Sequence, residues 1–353
     1  MRKGLNTIKV RDKCVGEGCP NFIIAEIGNN HNGSFDLAKK SVQAAALAGA
    51  DAVKFQKRVV DEVFIKELLG LEQTHSRTLG KTYGEYRRAQ ELKDEELGAL
   101  KDLAHSLGMV FFVTPFDLKG AAALAKIGMD AWKISSFDVI FPQLLDFVAR
   151  QNQPIFLSTG MATLDEIDEA VNTILAHNNQ LVINHCVSVY PTPTEDLNLG
   201  GVVTLKERYH PTPIGYSGHE IGYIPTVAAV ALGACTVERH FTLDKSLPGP
   251  DHSTVSLEPH EFAHMVKQIR NVEAAVRDKD IYIHEKERAH RNKHGKSVVS
   301  RVTIPAGTLI TADMIGFKSP GYGIKPSLAH TVIGKKANSL IPEDVVILPE
   351  FFA

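Results

Sequence analysis

Two histidines, His219 in YSGH and His240 in VERH, each close a short apolar run. Imidazole is a common ligand for divalent metals, and two rings at matching depth on neighbouring strands can share one ion. Glu238 stands two residues before His240, so in a strand both side chains share a face. A carboxylate there orients the histidine or acts on substrate; its structural alternative is an ion pair, with Lys54 as the natural partner. Lys54 and Lys133 interrupt two other apolar runs, AVKFQ and AWKIS. Lysine is rarely buried without an anion. Thr114, Ser135, Ser136, Ser158 and Thr159 add hydroxyls at the ends of similar runs. Two ammonium groups among hydroxyls form a cradle for phosphate or carboxylate; a Schiff-base lysine is the competing chemistry. Glu26, followed by Asn29, Asn30 and His31, offers a carboxylate and carboxamides of the kind that recognise sugar hydroxyls. Asp251 and His252 are carried by a proline-bounded loop, LPGPDHS.

These residues need a scaffold that brings distant segments together. Eight apolar runs end in them: Phe22 to Gly28, Ala52 to Gln56, Val110 to Pro115, Ala131 to Ser135, Pro154 to Gly160, Leu181 to Val187, Ile214 to His219 and Cys235 to Phe241. His185 belongs to the same set of strand-end polar residues. Helix-length stretches follow most runs, with Ser34 as an N-cap, Asp94 as a helix start and Thr163 with Glu166 as a capping box. The repeat predicts an α/β fold, a (β/α)8 TIM barrel whose strand C-terminal ends converge on one mouth. Residues 57–93 exceed a simple connection, and their GKTYGEYRR segment is expected to fold over that mouth.

The expected boundaries are 1–280 for the barrel, 281–293 for a charged linker and 294–353 for a small β-rich domain. Net charge is −2 with 23% charged residues, which gives no basic field for nucleic acid or anionic membrane. No apolar run approaches a membrane span, and the N-terminal segment has no signal-peptide core. Four cysteines are too few for a disulfide framework. Cys14 and Cys19 are expected to be reduced surface thiols, Cys186 and Cys235 buried ones, in a cytoplasmic enzyme.

The segments AEIGNNHNG, GADAVKFQK, KIS, LSTGM, HCVSVYPTPTEDLNL, IGYSGHE, ALGACTVERHFTLDK and GPDHS span nearly the whole barrel region. Together they resemble the sialic acid synthase family, and GKSVVSRVTIPAGTLIT resembles the antifreeze-like (SAF) domain that this family carries. The resemblance implies condensation of phosphoenolpyruvate with N-acetylmannosamine, its 6-phosphate or another N-acylated hexosamine. Water is consumed, C–O cleavage releases phosphate, and a divalent ion, Mn2+ or Mg2+, is required. GKTYGEYRR with YSGHE and LDK is similar to the animal-type synthases that use a 6-phosphorylated sugar.

The resemblance also assigns roles to positions. His219 and His240 would bind the metal, and Lys54, Thr114, Lys133, Ser136, Ser158 and Ser188 would hold phosphoenolpyruvate. Glu26, Asn30, Gln56, Tyr190 and Asp251 would surround the sugar and the reacting atoms. Asp138 or Glu238 would take the proton of the attacking water. In the tail, Ser319 replaces a family arginine that reaches the partner's sugar site, and Lys318 is the substitute. A domain-swapped homodimer is implied. Legionaminate, pseudaminate or spore-coat sugar synthases and 3-deoxy-ulosonate phosphate synthases are the rival activities.

Overall fold

A computed structural model describes residues 7–73, 79–249, 253–276 and 280–353. The chain divides into two compact units, Met1–Arg277 and Asp278–Ala353. In the first unit eight parallel strands close into a barrel in sequential order, the last pairing with the first. They are β3 (Phe22–Gly28), β4 (Ala52–Lys57), β5 (Val110–Pro115), β6 (Trp132–Ile134), β7 (Ile155–Ser158), β8 (Leu181–Cys186), β9 (Ile214–Gly218) and β10 (Thr236–His240). The TIM barrel read from the sequence is therefore present, with each apolar run forming its strand. An antiparallel hairpin, β1 (Thr7–Val10) and β2 (Lys13–Gly16), precedes it. These four-residue segments are too short and too polar to stand out in a sequence.

Alternation along each strand separates two environments. Outward residues such as Ile23, Ala25, Ile27, Val53, Phe55, Phe111 and Val113 pack under the surrounding helices. Inward residues in the lower half, Phe22, Ile24, Val110, Phe112, Phe156 and Val182, form a second apolar cluster with Ile8, Val10 and Val15 of the hairpin. Phe156 stacks on Phe22 and Phe112, with centroids at 5.8 and 5.3 Å. This floor is dry, and polar inward residues begin only above it.

The helices start where their caps lie. Ser34 accepts the Leu37 amide proton ahead of the helix Phe35–Leu47. Thr163 and Glu166 form the reciprocal capping box of Leu164–Leu175. The 57–93 excursion carries short helices at Val60–Val63, Lys66–Leu69 and Tyr83–Ala89, the last boxed by Thr82 and Glu85.

Cys14 and Cys19 form a disulfide, which corrects the expectation of reduced thiols. Beyond β2 the chain turns at Gly16, whose φ is +137°, and the Cys19 amide returns to the Gly16 carbonyl at 3.2 Å. That turn sets the two Cα atoms 5.8 Å apart, within bridging range.

Behind β9 and β10 lies a buried ion pair. Arg239 alternates outward between Glu238 and His240, and its Nη1 donates to Glu220 Oε1 at 2.8 Å and Thr226 Oγ1 at 2.9 Å. Its Nη2 donates to the Glu220 carbonyl at 2.7 Å, and Glu220 also accepts from the Tyr216 hydroxyl at 2.9 Å. Burial and the adjacent Glu220 carboxylate push the Tyr216 phenol above its usual range. The second unit pairs β11 (Ser297–Ser300) with β12 (Ile315–Lys318) over a small core of Val298, Ile304, Ile310, Val332, Ile341 and Ile347. Among the described residues no helix is long and apolar enough to cross a membrane.

Removing one partner of a buried ion pair leaves the other charge without compensation. Glu220→Ala is therefore expected to lower the unfolding free energy by about 3–5 kcal/mol, read from urea denaturation. A loss below about 1 kcal/mol would show that the pair does not hold this side of the barrel together.

Candidate active site

Above the dry floor four inward charges from four strands alternate in sign. Lys54 Nζ lies 2.7 Å from Glu26 Oε2 and 3.7 Å from Glu238 Oε1. Lys133 Nζ donates to both Glu238 oxygens, at 2.7 and 2.8 Å. All four side chains are nearly inaccessible to solvent, so pairing is what makes their burial tolerable. The lysines thus carry internal counter-charges, and Glu238 bonds Lys133 more closely than the Lys54 partner anticipated from sequence. The two carboxylates diverge. Burial raises Glu26 above the usual carboxyl range against the pull of Lys54. Burial also opposes charge on Glu238, but Lys133 and Lys54 outweigh it and hold the group at about 2.

The two histidines meet at the top of β9 and β10. Their ring centroids are 5.4 Å apart, and the Tyr190 ring stands 4.0 Å from His219 and 6.0 Å from His240. His219 Nδ1 lies 2.8 Å from the Val187 carbonyl, which can only accept, so Nδ1 carries hydrogen and Nε2 is the available nitrogen. Burial and the neighbouring His219 hold His240 well below its usual range, which keeps it in the neutral form that ligates metals. For His219 burial opposes protonation, but Cys186 and the Val187 carbonyl more than reverse it. Proton and metal compete for the same Nε2. Among the described residues no group of three or more His, Cys, Asp or Glu side chains is arranged around an ion. The donor set fits a divalent ion bound by two imidazoles, with water or substrate oxygens completing its shell.

Hydroxyls stand at the strand ends beside these groups, Ser136 and Ser188 both reaching Cys186 next to His219. Thr114 accepts from Lys54 at 2.9 Å, and the Gly160 amide donates to Ser136 Oγ at 3.0 Å. Ser188 borders the same spot: a Cβ on Gly160 would meet Ser188 Oγ at 2.3 Å and Ser136 Oγ at 2.8 Å. Only glycine lets backbone and hydroxyls converge there. Ser158 Oγ is buried with no hydrogen-bond partner among the described residues. On β3 and β4, Gln56 Nε2 donates to Glu26 Oε1 at 2.7 Å, while Gln56 Oε1 accepts from Asn29 at 3.2 Å and Arg58 at 2.6 Å.

Other residues singled out in the sequence are engaged mainly by the protein itself. His185 points out of the barrel, because Asn184 and Cys186 take the inward positions. Its Nε2 lies 3.0 Å from the Leu197 carbonyl, and its ring stacks on Tyr216. His31 packs on Phe55 and accepts the Gly33 amide proton at 3.1 Å. Asn30 donates to the Phe241 carbonyl and to Ser256 Oγ, both at 2.9 Å, tying β3 to the chain beyond β10. Asp138 accepts from Ser135 at 2.5 Å, with Arg58 and Asp117 as charged neighbours; burial pushes it up to about 6. Lys318 pairs with Asp344 in the second unit. Asp251 and His252 lie outside the described residues. Sequence reading missed Arg58, which sits one residue past β4 and stacks its guanidinium 3.9 Å above Phe116. Its only signal was a second basic residue directly after AVKFQK.

Paired charges, a histidine pair and converging hydroxyls at the strand C-terminal ends define a (β/α)8-barrel enzyme. Residues 41–280 match the NeuB family and residues 295–353 the SAF domain. The chain belongs to the NeuB family. It is 37% identical over 337 residues to the N-acetylneuraminate-9-phosphate synthase of Homo sapiens, covering 95% of this chain and 94% of that one. It is 35% identical to the N,N'-diacetyllegionaminic acid synthase of Legionella pneumophila, covering 98% and 97%. The crystal structure of the N-acetylneuraminic acid synthetase of Leptospira borgpetersenii superposes with a TM-score of 0.72 at 32% identity, over 81% of this chain and 95% of that one.

Among the described residues the Ser158 hydroxyl has no bond to lose. Ser158→Ala is expected to leave the unfolding free energy unchanged or raise it by up to about 1 kcal/mol, read from the urea midpoint. A clear destabilisation would mean that the hydroxyl serves the fold and not a ligand.

Proposed function

We propose that the enzyme condenses phosphoenolpyruvate with the open-chain aldehyde of an N-acylated hexosamine, yielding a nine-carbon 2-keto sugar acid and phosphate. One observation carries this reading: the paired histidines and the lysine-and-hydroxyl wall open on the same barrel mouth, so a carbonyl and a phosphate can be held side by side. The printed activities of the human and Legionella relatives, both sugar-acid synthases, support it.

A divalent ion held by His219 and His240, Mn2+ or Mg2+, would supply Lewis-acid polarisation of the aldehyde oxygen. The protein's own groups do the rest. Ser136, Ser158, Ser188 and Thr114 donate to the anionic oxygens of phosphoenolpyruvate beside Lys54 and Lys133. A new C–C bond forms between its methylene carbon and the aldehyde carbon. Water adds at the adjacent enol carbon, and the C–O bond to phosphate then breaks. Asp138 takes one proton of that water and returns it for the new hydroxyl, and the second proton leaves with phosphate as the tetrahedral carbon becomes the ketone. Lys54 and Lys133, fixed before the reaction by Glu26 and Glu238, stabilise the leaving phosphate without reorganising. Tyr190 lies over the imidazoles and shields the reacting end of the sugar.

The same reading includes a homodimer in which the second unit of one copy, with Lys318, covers the barrel of the other. Exposed Phe137, Ile140, Ile221 and Ile224, which follow β6 and β9 in the chain, favour such a cover. A single-chain mass in sedimentation would remove that part.

In 18O-labelled water the label is expected in the keto acid; label in the released phosphate would mean P–O cleavage and a different reaction. His219→Ala and His240→Ala should each lose retention of Mn2+ in equilibrium dialysis and lose condensation. Either variant working at the parental rate would sink the metal role.

The elevated Asp138 gives a pH signature. Its carboxylate form is lost as pH falls through about 6, so kcat/KM is expected to drop on the acid side of that value. Asp138→Asn should abolish this limb and lower kcat by about 10²-fold or more. An unchanged acid limb in the variant would assign the proton to another group.

A further inference from the structure

The inward side chains of an eight-stranded barrel stack in layers of four, each layer drawn from alternate strands. Lys54, Lys133 and Glu238 come from β4, β6 and β10, and β8 completes their layer with Asn184. The layer above comes from β3, β5, β7 and β9 and holds Glu26, Thr114, Ser158 and Ser217. Three of these four engage the layer beneath. Glu26 and Thr114 meet Lys54 at 2.7 and 2.9 Å, and Ser217 donates to Glu238 at 3.3 Å. Ser158 Oγ has no hydrogen-bond partner among the described residues, and neither has Nδ2 of Asn184. Both side chains are buried, Asn184 completely. A buried polar atom left unsatisfied is costly, so two of them on adjacent strands call for one cause.

The strand register sets Ser158 beside Asn184. The Asn184 main chain is fixed there, because its carbonyl accepts from the Thr159 amide at 3.2 Å and the Thr159 hydroxyl at 3.0 Å. Its side chain is fixed as well. Oδ1 accepts from Thr236 Oγ1 at 3.0 Å, reaching β10 across Gly215 of β9. A Cβ on Gly215 would meet Thr236 Oγ1 at 1.9 Å and Asn184 Oδ1 at 2.1 Å, so only glycine leaves room for this bond. With Oδ1 drawn toward β10, Nδ2 on the other arm of the amide is turned away from β10, to the side on which Ser158 stands.

An amide N–H can only donate. A hydroxyl that accepts from it must aim its own hydrogen elsewhere, and for Ser158 that is the space phosphoenolpyruvate fills in the reaction proposed above. We propose that Asn184 is a positioning residue for phosphoenolpyruvate: its amide, steered by Thr236, donates to Ser158 Oγ as the substrate arrives and commits the Ser158 hydrogen to an anionic oxygen of the enol phosphate. The three donors then point one way, from Thr236 to Asn184, from Asn184 to Ser158 and from Ser158 to the ligand, and each bond polarises the next. Nδ2 itself stays out of reach of the substrate and acts through Ser158. This rests on the condensation proposed above and adds a residue to its phosphoenolpyruvate site.

The test uses the full-length enzyme with Mn2+, calorimetric binding of phosphoenolpyruvate, and turnover with N-acetylmannosamine and with its 6-phosphate. Ser158→Ala should weaken phosphoenolpyruvate binding by about 10- to 100-fold, the range for a hydrogen bond to a charged group. Asn184→Leu, close in volume, should weaken it by about 5-fold or more. Both losses should appear in KM for phosphoenolpyruvate and not in KM for the acceptor. The double variant decides the matter: it should bind within about 2-fold of Ser158→Ala alone, because Asn184 has no other route to the ligand, whereas a general packing role would make the losses add. Thr236→Val, nearly isosteric, removes only the steering bond and should cost about 2- to 5-fold. Parental affinity in Asn184→Leu, or additive losses in the double variant, would overturn the proposal. Where Asn184→Leu does not fold, parental affinity in Thr236→Val overturns it as well. Absence of turnover with both sugars, alongside binding of phosphoenolpyruvate that depends on Asn184 through Ser158, would strike the condensation and leave the positioning role standing.

Discussion

The whole site depends on burying charge without paying the full desolvation penalty. Glu26, Lys54, Glu238 and Lys133 come from four strands and meet only because the barrel closes. Any one of them alone in that interior would lose its charge or unfold its surroundings. Arranged in alternation, each makes its neighbour tolerable, and together they form a charged deck directly on an apolar floor. The floor of stacked phenylalanines excludes water from below, which keeps the dielectric low where the deck interacts with a ligand. Preorganisation here is therefore electrostatic and is set by folding itself.

The fold was largely legible in the sequence, because its information is local. An apolar run of five or six residues, a cap and an amphipathic stretch are each read within a short window, as at Ser34 and Thr163. The inward placement of these side chains was legible too, since parity follows from alternation: Glu238 and His240 share a face, as do Lys54 and Gln56. What could not be read was partnership. Nothing near Lys133 in the chain says that it meets Glu238 across 105 positions. His185 misled because both residues flanking it can face inward, and parity decides only once the strand's register is known. The Cys14–Cys19 bridge depended on a tight turn at Gly16, a backbone property that residue counting overlooked.

The excursion between β4 and β5 shows how a shared barrel is adapted. The deck is made from strands, which tolerate little change. The segment around Tyr83 and Arg87 is an insertion beside the mouth, tied down by its own capping box and by the Arg88–Asp61 pair at 2.5 Å. Such an insertion can alter what the far end of a substrate meets without disturbing the reacting end.

The Glu220–Arg239 pair occupies the sheet face opposite the two imidazoles, at positions adjacent to both. It sits in a dry environment where mobile ions do not reach, and screening acts weakly on interactions of this kind. The spacing of the rings is thus fixed by a clasp that neither crowding by substrate nor changing ionic strength can loosen. Dissolved salt reaches the rim of the pocket, while the two rings are braced from the rear.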